Sequence, residues 1–195
     1  MIGGLVLAAG AGRRFGGRKL IAELDGRPLL DHAIEAMLAV PAVERVVVVL
    51  GADADEVAAA ADLEGTEAVV CDHWREGMAA SLRAGVAALD DASAAVVILG
   101  DQPFVTPQVI SAIVDHVAAP EAATRATYDG RPGHPVLIKR LLFEAVASLR
   151  GDTGARELLA AAGARELECG QLCRPDDIDT LADLESARRA VRVGR

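Results

Sequence analysis

Two uninterrupted apolar runs constrain the fold of this chain more than any other feature. Residues 46–50 and 95–99 contain no polar side chain, as is typical of strands that are covered on both faces of a parallel sheet. Shorter runs at residues 5–7 and 68–71 predict two further strands. Helices are predicted around them, over residues 29–38, 53–61, 78–89 and 107–117, and Pro28 favours a first helical position. This alternation predicts an α/β fold, with three Rossmann-like layers around a mostly parallel sheet.

After Pro120 the pattern is less regular. Residues 124–128 and 135–138 predict an antiparallel ribbon around the turn Asp129-Gly130. The remaining chain predicts helices over residues 141–149, 155–162 and 180–193, and a short strand over residues 165–169. No internal repeat, low-complexity tract or flexible linker interrupts the sequence. Residues 1–195 are therefore predicted to form a single domain.

Charge and composition exclude several classes of protein. The net charge of −9 and the lack of a basic run argue against a general nucleic-acid binder. No apolar segment is long enough to span a membrane, and the first residues do not form a signal peptide, so a cytoplasmic protein is predicted. The cysteines Cys71, Cys169 and Cys173 lack the companion ligands of a zinc site and are interpreted as reduced thiols.

The stretch that follows the first strand, residues 8–19, is rich in glycine and in cations. Because Gly10 and Gly12 have no side chains, backbone N–H groups can approach an anion closely there. Arg14 and Lys19 add positive charge at the same place. In a chain with a net negative charge, such a local concentration of cations predicts a binding site for a polyphosphate.

Neither of the two common phosphate-binding motifs fits this stretch. Phe15 stands where a dinucleotide fingerprint needs glycine, and Arg18 stands where a Walker loop needs lysine. Residues 7–19 fit instead the pattern L-A-A-G-x-G-x-R-F/M-G-x-x-K, which resembles the signature of nucleotidyltransferases with a MobA-like fold. Such enzymes move a nucleoside monophosphate from a triphosphate to an acceptor. The resemblance implies a fold of the nucleotide-diphospho-sugar transferase type.

The same resemblance implies which residues contact the nucleotide. Arg14 and Lys19 are implied to be catalytic, since their charges neutralise the triphosphate. Residues 74–82 look like the segment that closes over the nucleoside in this family. The implied nucleotide-binding residues are Leu7, Ala8, Ala9, Gly10, Gly12, Arg14, Lys19, Gly77 and Ser81.

A candidate metal site follows the strand at residues 95–99. Asp101 comes directly after this strand, in the sequence Gly100-Asp101-Gln102-Pro103. A carboxylate at the carboxyl end of a parallel strand is well placed to bind Mg²⁺, although Asp101 could instead stabilise a turn. The sequence G-D-x-P resembles the metal-binding motif of the same family, which implies Mg²⁺ as the cofactor.

A second acidic segment precedes the last predicted helix. Residues 177–184 resemble the family's late motif D/N-I-D/N-T-x-x-D-L, with Leu181 in place of the usual proline. The resemblance implies that Asp179 lies at the metal or at the acceptor, and capping of the helix is the alternative. Whether Asp177 or Asp179 is the metal ligand is left open.

Two further segments resemble a narrower group. Gly133-His134-Pro135 and residues 151–156 are similar to those of the molybdenum cofactor cytidylyltransferases and their near relatives. The resemblance implies transfer of CMP from CTP to the phosphate of a molybdenum-bound pterin, with release of pyrophosphate. It also implies a molybdoenzyme of the hydroxylase type as partner. His134 and Arg156 would then bind the acceptor, whereas a histidine between glycine and proline is otherwise an ordinary loop residue.

Other functions are weighed against this one. A guanylyltransferase for the same cofactor would usually have glycine at the position of Ala9, and the acceptor could be another phosphorylated metabolite. A non-catalytic carrier that delivers a cofactor to a molybdoenzyme would not need Arg14, Lys19 and Asp101. A nicotinamide dehydrogenase would need the fingerprint that this chain lacks.

Overall fold

The structure is a computed structural model and describes residues 1–151 and 154–193. Within these residues the strands are β1 (Ile2–Ala8), β2 (Glu23–Leu24), β3 (Arg27–Pro28), β4 (Val43–Leu50), β5 (Glu67–Val70), β6 (Ala94–Leu99), β7 (Ala123–Tyr128), β8 (Arg131–Lys139) and β9 (Arg165–Glu168). The helices are α1 (Leu29–Leu38), α2 (Ala54–Ala60), α3 (Met78–Ala88), α4 (Pro107–Val114), α5 (Phe143–Ala147), α6 (Gly154–Ala161) and α7 (Leu181–Val193). Single 3-10 turns cover Lys19–Ile21, Trp74–Glu76, Asp115–Ala118 and Arg140–Leu142.

The main sheet of the described residues has the order β5-β4-β1-β6-β8-β7-β9. β1 pairs in parallel with both β4 and β6, and β5 pairs in parallel with β4. β8 is antiparallel to β6 and to β7, while β9 is parallel to β7. β8 alone therefore runs against the direction of the other strands in this sheet. The α/β fold with a mostly parallel sheet, predicted from the sequence, is confirmed.

Both faces of the sheet are covered, because β1 alternates its side chains between two hydrophobic clusters. Val6 and Ala8 belong to one cluster, which includes the apolar residues of α1 and α4. Leu5 and Leu7 belong to the other cluster, which includes those of α3 and α5. These two clusters and the sheet between them make the three predicted layers.

A third, smaller cluster joins the glycine-rich loop to the start of the last helix. Phe15 from the loop packs in it with Ile178 and Leu184, and Ile178 is only 1% exposed. This contact matters for function because it holds residues 177–179 beside the loop, although about 160 residues separate them in sequence. Among the described residues, no helix is long and apolar enough to cross a membrane.

Several predicted boundaries differ from the structure. Pro28 lies in β3 just before α1, which begins at Leu29, so its predicted place inside the helix is wrong by one residue. β8 begins at Arg131, and His134 lies within this strand rather than in the predicted loop. The reason is the tight turn at Asp129-Gly130, where both residues have positive φ angles, 50° and 73°. Such a two-residue turn lets strand pairing begin immediately after it.

We expect Gly51→Ala to destabilise the protein. A Cβ atom on Gly51 would lie 2.7 Å from the backbone oxygen of Ala9 and 2.8 Å from Cβ of Trp74, so part of the backbone must move. The cost should be about 1–3 kcal/mol in the free energy of unfolding, measured by urea denaturation. Gly10→Ala is the matched control, since a Cβ there meets nothing within 4 Å. Equal stability of the two variants would contradict the close contact.

Candidate active site

The candidate site lies at the carboxyl ends of β1 and β6. These strands are neighbours in the sheet, with Leu7 opposite Leu99, and the N–H of Gly100 donates to the oxygen of Leu7 over 2.9 Å. The glycine-rich loop after β1 and the segment containing Asp101 after β6 therefore emerge side by side. Ligands of open parallel sheets bind at such an edge.

The loop after β1 is organised around the carbonyl of Gly12. This oxygen accepts hydrogen bonds from the N–H groups of Phe15, Gly16 and Gly17 over 2.9–3.1 Å. Gly12 has a positive φ angle of 56°, and a Cβ on it would lie 2.9 Å from Cβ of Lys19. Only glycine allows this close approach, so the loop packs directly against the stem of the Lys19 side chain.

Four predicted site residues meet at this edge. Nζ of Lys19 forms a short hydrogen bond with Oδ2 of Asp101 and a second one, of 3.2 Å, with Oδ1 of Asp179. The guanidinium of Arg14 contacts Oδ2 of Asp179 at 2.9 Å. The structure therefore brings together two cations from the loop and two carboxylates from distant parts of the chain.

The charge state of Lys19 follows from these contacts. Burial disfavours the ammonium, but the nearby carboxylates of Asp101 and Asp179 outweigh this effect and raise the pKa of Lys19 above its usual value. Lys19 therefore stays protonated at neutral pH. A charged, nearly buried ammonium can neutralise the phosphates of a ligand as well as the carboxylates of the protein.

Asp101 has the features of a ligand for a hard cation. Its Oδ1 atom is buried and has no hydrogen-bond partner among the described residues, which is unusual for a carboxylate oxygen. Mg²⁺ and similar cations prefer oxygen ligands and commonly take one or two carboxylates together with substrate phosphates. Asp101 and Asp179 fit this pattern. No cluster of three or more histidine, cysteine, aspartate or glutamate residues suited to a metal occurs in the described part of the chain.

Capping of α7, the alternative role for Asp179, is carried out by other residues. The carboxylate of Asp183 accepts hydrogen bonds from the N–H groups of Asp179 and Thr180, and the hydroxyl of Thr180 accepts one from the N–H of Asp183. Thr180 and Asp183 thus form a reciprocal capping box. The carboxylate of Asp179 takes no part in it and is directed at Arg14 and Lys19.

Asp177, the other acid of this segment, has a different environment. Its Oδ1 atom accepts a hydrogen bond of 2.6 Å from Nε2 of Gln102, and Oε1 of Gln102 has no partner in the part of the chain that the structure describes. Partial burial raises the pKa of Asp177, and the hydrogen bond from Gln102 opposes this shift. Sequence reasoning missed Gln102, because it occupies the variable position of the G-D-x-P motif.

The remaining residues that were predicted to bind the nucleotide lie in β1, in the loop after it and around the start of α3. Leu7 and Ala8 lie inside β1 and are buried, so that they support the loop rather than expose a side chain. Ala9 lies against Gly51, while Gly10 is exposed and a Cβ there would face open space. Gly77 precedes α3 with a φ angle of 106°, and Ser81 is a buried residue of that helix.

A cleft of about 1090 Å³ adjoins the charged residues, between β8, α6 and the segment before α7, and Gln102 and Asp177 are among its lining residues. Both predicted acceptor-binding residues, His134 and Arg156, line it. Asp152 and Thr153, which belong to the same predicted motif as Arg156, lie outside the described residues. Sequence reasoning missed several other cleft residues, namely Arg125, Tyr128, Arg131, Glu168, Cys173 and Arg174.

Glu168 holds two walls of this cleft in place. Its carboxylate accepts hydrogen bonds from the N–H groups of Asp129, Gly130 and Gly170 over 3.1–3.2 Å, and from the hydroxyl of Thr127 over 3.0 Å. The bonds from the backbone, that of Gly130 first, lower the pKa of Glu168. The edge strand β9 is thereby fixed to the turn between β7 and β8.

A loop that carries cations and faces carboxylates at the carboxyl edge of a parallel sheet defines an α/β protein of the nucleotidyltransferase type. Comparison with known sequences agrees with this class. Residues 4–167 match the family described as MobA-like NTP transferase domain, and the chain belongs to this family. The predicted family and fold are thus confirmed.

The relatives of this chain have diverse names. It is 37% identical to nicotine blue oxidoreductase of Paenarthrobacter nicotinovorans, with 93% of each chain covered. It is 30% identical to the purine catabolism protein PucB of Bacillus subtilis, with 96% of each covered. A "probable molybdenum cofactor guanylyltransferase" of Thermococcus sibiricus is 31% identical, over 57% of this chain and 54% of that protein.

Solved structures agree with the family assignment. The crystal structure of Rv0371c from Mycobacterium tuberculosis superimposes with a TM-score of 0.86 at 32% identity, covering 96% of this chain and 97% of that one. A structure of Rv0371c in complex with manganese has a TM-score of 0.79 at 30% identity, covering 97% and 98%. A divalent cation can therefore accompany this fold.

We expect His134 to make stability depend on pH. Burial lowers the pKa of His134 to about 4, and Asp101 opposes this shift to a smaller extent. The unfolded chain has a histidine pKa of about 6.5, so it takes up protons first as the pH falls. The stabilisation is complete above about pH 6.5 and is lost towards pH 4, by roughly 1–3 kcal/mol for this half-buried group.

Urea denaturation between pH 7 and pH 4 measures this effect. His134→Gln should lose less stability over the range than the wild type, and His73→Gln, which changes an exposed histidine, should behave as the wild type. Parallel stability curves for the wild type and His134→Gln would contradict the neutral, desolvated imidazole.

Proposed function

We propose that this protein transfers CMP from CTP to the phosphate of a molybdenum-bound pterin and releases pyrophosphate. The observation that supports it best is the meeting of Arg14 and Lys19 with Asp101 and Asp179, beside the cleft that Gln102 and Asp177 line. Membership of the MobA-like family supports the nucleotidyl transfer. The choice of CTP and of the pterin acceptor rests on the sequence resemblance described above.

The main obstacle to this reaction is the repulsion between two polyanions. A divalent cation bound by Asp101 and Asp179, which we take to be Mg²⁺, would supply positive charge at the phosphates. Arg14, Lys19 and the N–H groups of the glycine-rich loop would neutralise the charge that develops on the leaving pyrophosphate. The acceptor phosphate itself attacks the α-phosphorus, so the protein needs no nucleophile. Positioning and electrostatics carry the catalysis.

The cleft beside His134 is the proposed acceptor site. The register of β6 and β8, with Val97 opposite Val136, leads to His134 next to the end of β6 and hence near Asp101. A neutral His134 can donate one hydrogen bond to a phosphate or to a pterin heteroatom. Arg156 on α6 would add a charge for the acceptor phosphate from the opposite wall.

We further propose a cell compartment and a partner enzyme for this reaction. The free thiols of Cys71, Cys169 and Cys173 suit a reducing compartment, the cytoplasm. A molybdoenzyme of the hydroxylase type would receive the product. Guanylyl transfer, transfer to another phosphorylated metabolite and non-catalytic delivery of a cofactor are the alternatives. The relative named as an oxidoreductase adds one more. An assay of pyrophosphate release with each NTP, in the presence and absence of purified molybdenum cofactor, run beside an assay of nicotinamide cofactor oxidation, separates them.

Asp101→Asn tests the catalytic assignment. The change keeps the shape of the side chain but removes the charge that would hold the divalent cation. We expect turnover to fall by about 10³-fold or more, measured as pyrophosphate release at saturating CTP and Mg²⁺.

The matched control for this variant is Asp91→Asn. Asp91 forms an exposed ion pair with Arg45 near the amino ends of β4 and β6, with atoms 3.3 Å apart, so its loss changes the net charge equally and should leave turnover unchanged. Near-normal activity of Asp101→Asn would refute the role of this carboxylate.

The base preference tests the cytidylyl assignment. Ala9 stands where the guanylyltransferase pattern has glycine. Its side chain is 4% exposed and packs against Gly51, so it would act on base choice by restricting the backbone that borders the base. Shape alone discriminates by about 1–3 kcal/mol, so CTP should exceed GTP by tens-fold in kcat/KM. Ala9→Gly should relax this preference without reversing it, because hydrogen bonds to guanine would still be missing. Equal use of GTP and CTP by the wild type would leave only the nucleotidyltransferase assignment standing.

A further inference from the structure

Lys19 already occupies the space that the two proposed metal ligands share. Its Nζ atom contacts one oxygen of Asp101 and one oxygen of Asp179. The Lys19 side chain is only 11% exposed and that of Asp101 only 19%. The ammonium therefore serves as an internal counter-ion, and it relieves the repulsion that two converging carboxylates would otherwise suffer.

This arrangement opposes the binding of a free divalent cation. A cation approaching Asp101 and Asp179 would meet the like charge of Lys19 at close range, in a site largely shielded from water. It would also find three of the four carboxylate oxygens engaged by Lys19 and Arg14, and Oδ1 of Asp101 as the one left. The divalent cation and the lysine ammonium therefore compete for the same pair of carboxylates.

The side chain of Lys19 can leave the carboxylates while its backbone stays fixed. The oxygen of Lys19 accepts a hydrogen bond from the N–H of Ala22, and Gly12 packs against its Cβ. The methylene groups beyond Cβ carry the ammonium on rotatable bonds. Arg14, which contacts Asp179 from a side chain 76% exposed, can move in the same way. A polyphosphate in the glycine-rich loop would offer both cations new partners.

The choice of lysine at this position supports such an exchange. Lys19 and Lys139 are the two lysines among 20 basic residues, and all others are arginine. An arginine could hold both carboxylates through its planar, forked guanidinium, whereas a lysine is a point charge with rotatable donors. A residue that must change partners during binding is better served by lysine.

We propose that Lys19 couples the binding of the triphosphate to that of the divalent cation. The triphosphate draws Lys19 away from Asp101 and Asp179, and the divalent cation then takes its place between the carboxylates. Without nucleotide, the site binds the metal more weakly. This inference rests on the proposed nucleotidyl transfer, but it concerns the free protein and does not depend on the acceptor.

The first experiment measures Mn²⁺ binding by electron paramagnetic resonance in the absence of nucleotide. Lys19→Met should bind Mn²⁺ about tenfold more tightly than the wild type, within the usual range of coupling between sites. Arg18→Met is the matched control, because it removes an equal charge from the same loop, where Arg18 pairs with Glu56 at 2.8 Å. It should bind Mn²⁺ as the wild type does. Lys19→Met with Asp101→Asn should lose the gain.

The second experiment uses the wild type, so that it does not depend on the folding of a variant. With 13C-labelled lysine, NMR should show two Cε signals. CTP added with EDTA should shift the signal of Lys19, while that of Lys139, whose ammonium donates to the oxygen of Ala119, should not move. A stationary Lys19 signal with CTP bound would overturn the proposal.

The remaining outcomes separate the two levels of inference. If Lys19→Met binds Mn²⁺ no more tightly than the wild type, the coupling is wrong although the metal site stands. If the wild type and Lys19→Met bind neither Mn²⁺ nor CTP, the proposed function and the coupling both fail.

Discussion

The pairing of β1 with parallel neighbours on both sides determines where chemistry can take place in this protein. β1 lies between β4 and β6 in register, with Leu7 next to both Val49 and Leu99. Strands covered on both faces must satisfy their hydrogen bonds within the sheet, so their ends cannot shift independently. The loops that follow β1 and β6 are therefore held at a fixed separation. Every charged group of the candidate site is positioned relative to those two ends.

A protein with a net charge of −9 must gather cations locally to hold a polyanion. The small hydrophobic cluster around Phe15 and Ile178 makes this possible, since it fastens the glycine-rich loop to the chain before α7. Two carboxylates and two cations then meet with their charges balanced. In this arrangement apolar packing positions the groups and electrostatics decides what they bind. The same carboxylates can exchange one cation for another without a change of fold.

Much of this could be predicted from the sequence, because the decisive signals are local. Apolar runs gave the strands, and the contiguous loop pattern identified the family together with Arg14 and Lys19. Asp101 followed from its place after a buried strand. The role of Asp179 could not be separated from capping, since that depends on which oxygen accepts which N–H group, and Thr180 with Asp183 turned out to do the capping. Apart from Arg156, the arginines of the cleft (Arg125, Arg131 and Arg174) come from distant segments and share no sequence pattern, so only the folded chain reveals them.

The reversed direction of β8 has a consequence for how proteins of this type diversify. Because β8 runs against its neighbours, it brings its first residues, Arg131 to His134, to the edge where the other strands end. The glycine-rich loop thus follows β1, which is paired on both sides, whereas one wall of the cleft is built on the tip of the β7–β8 hairpin. Under the proposed function, substitutions at the tip would alter which acceptor the cleft admits and would leave the glycine-rich loop untouched. The loop proposed to bind the nucleotide could then stay constant during evolution while the cleft proposed to bind the acceptor changes, which accords with the varied names of the relatives.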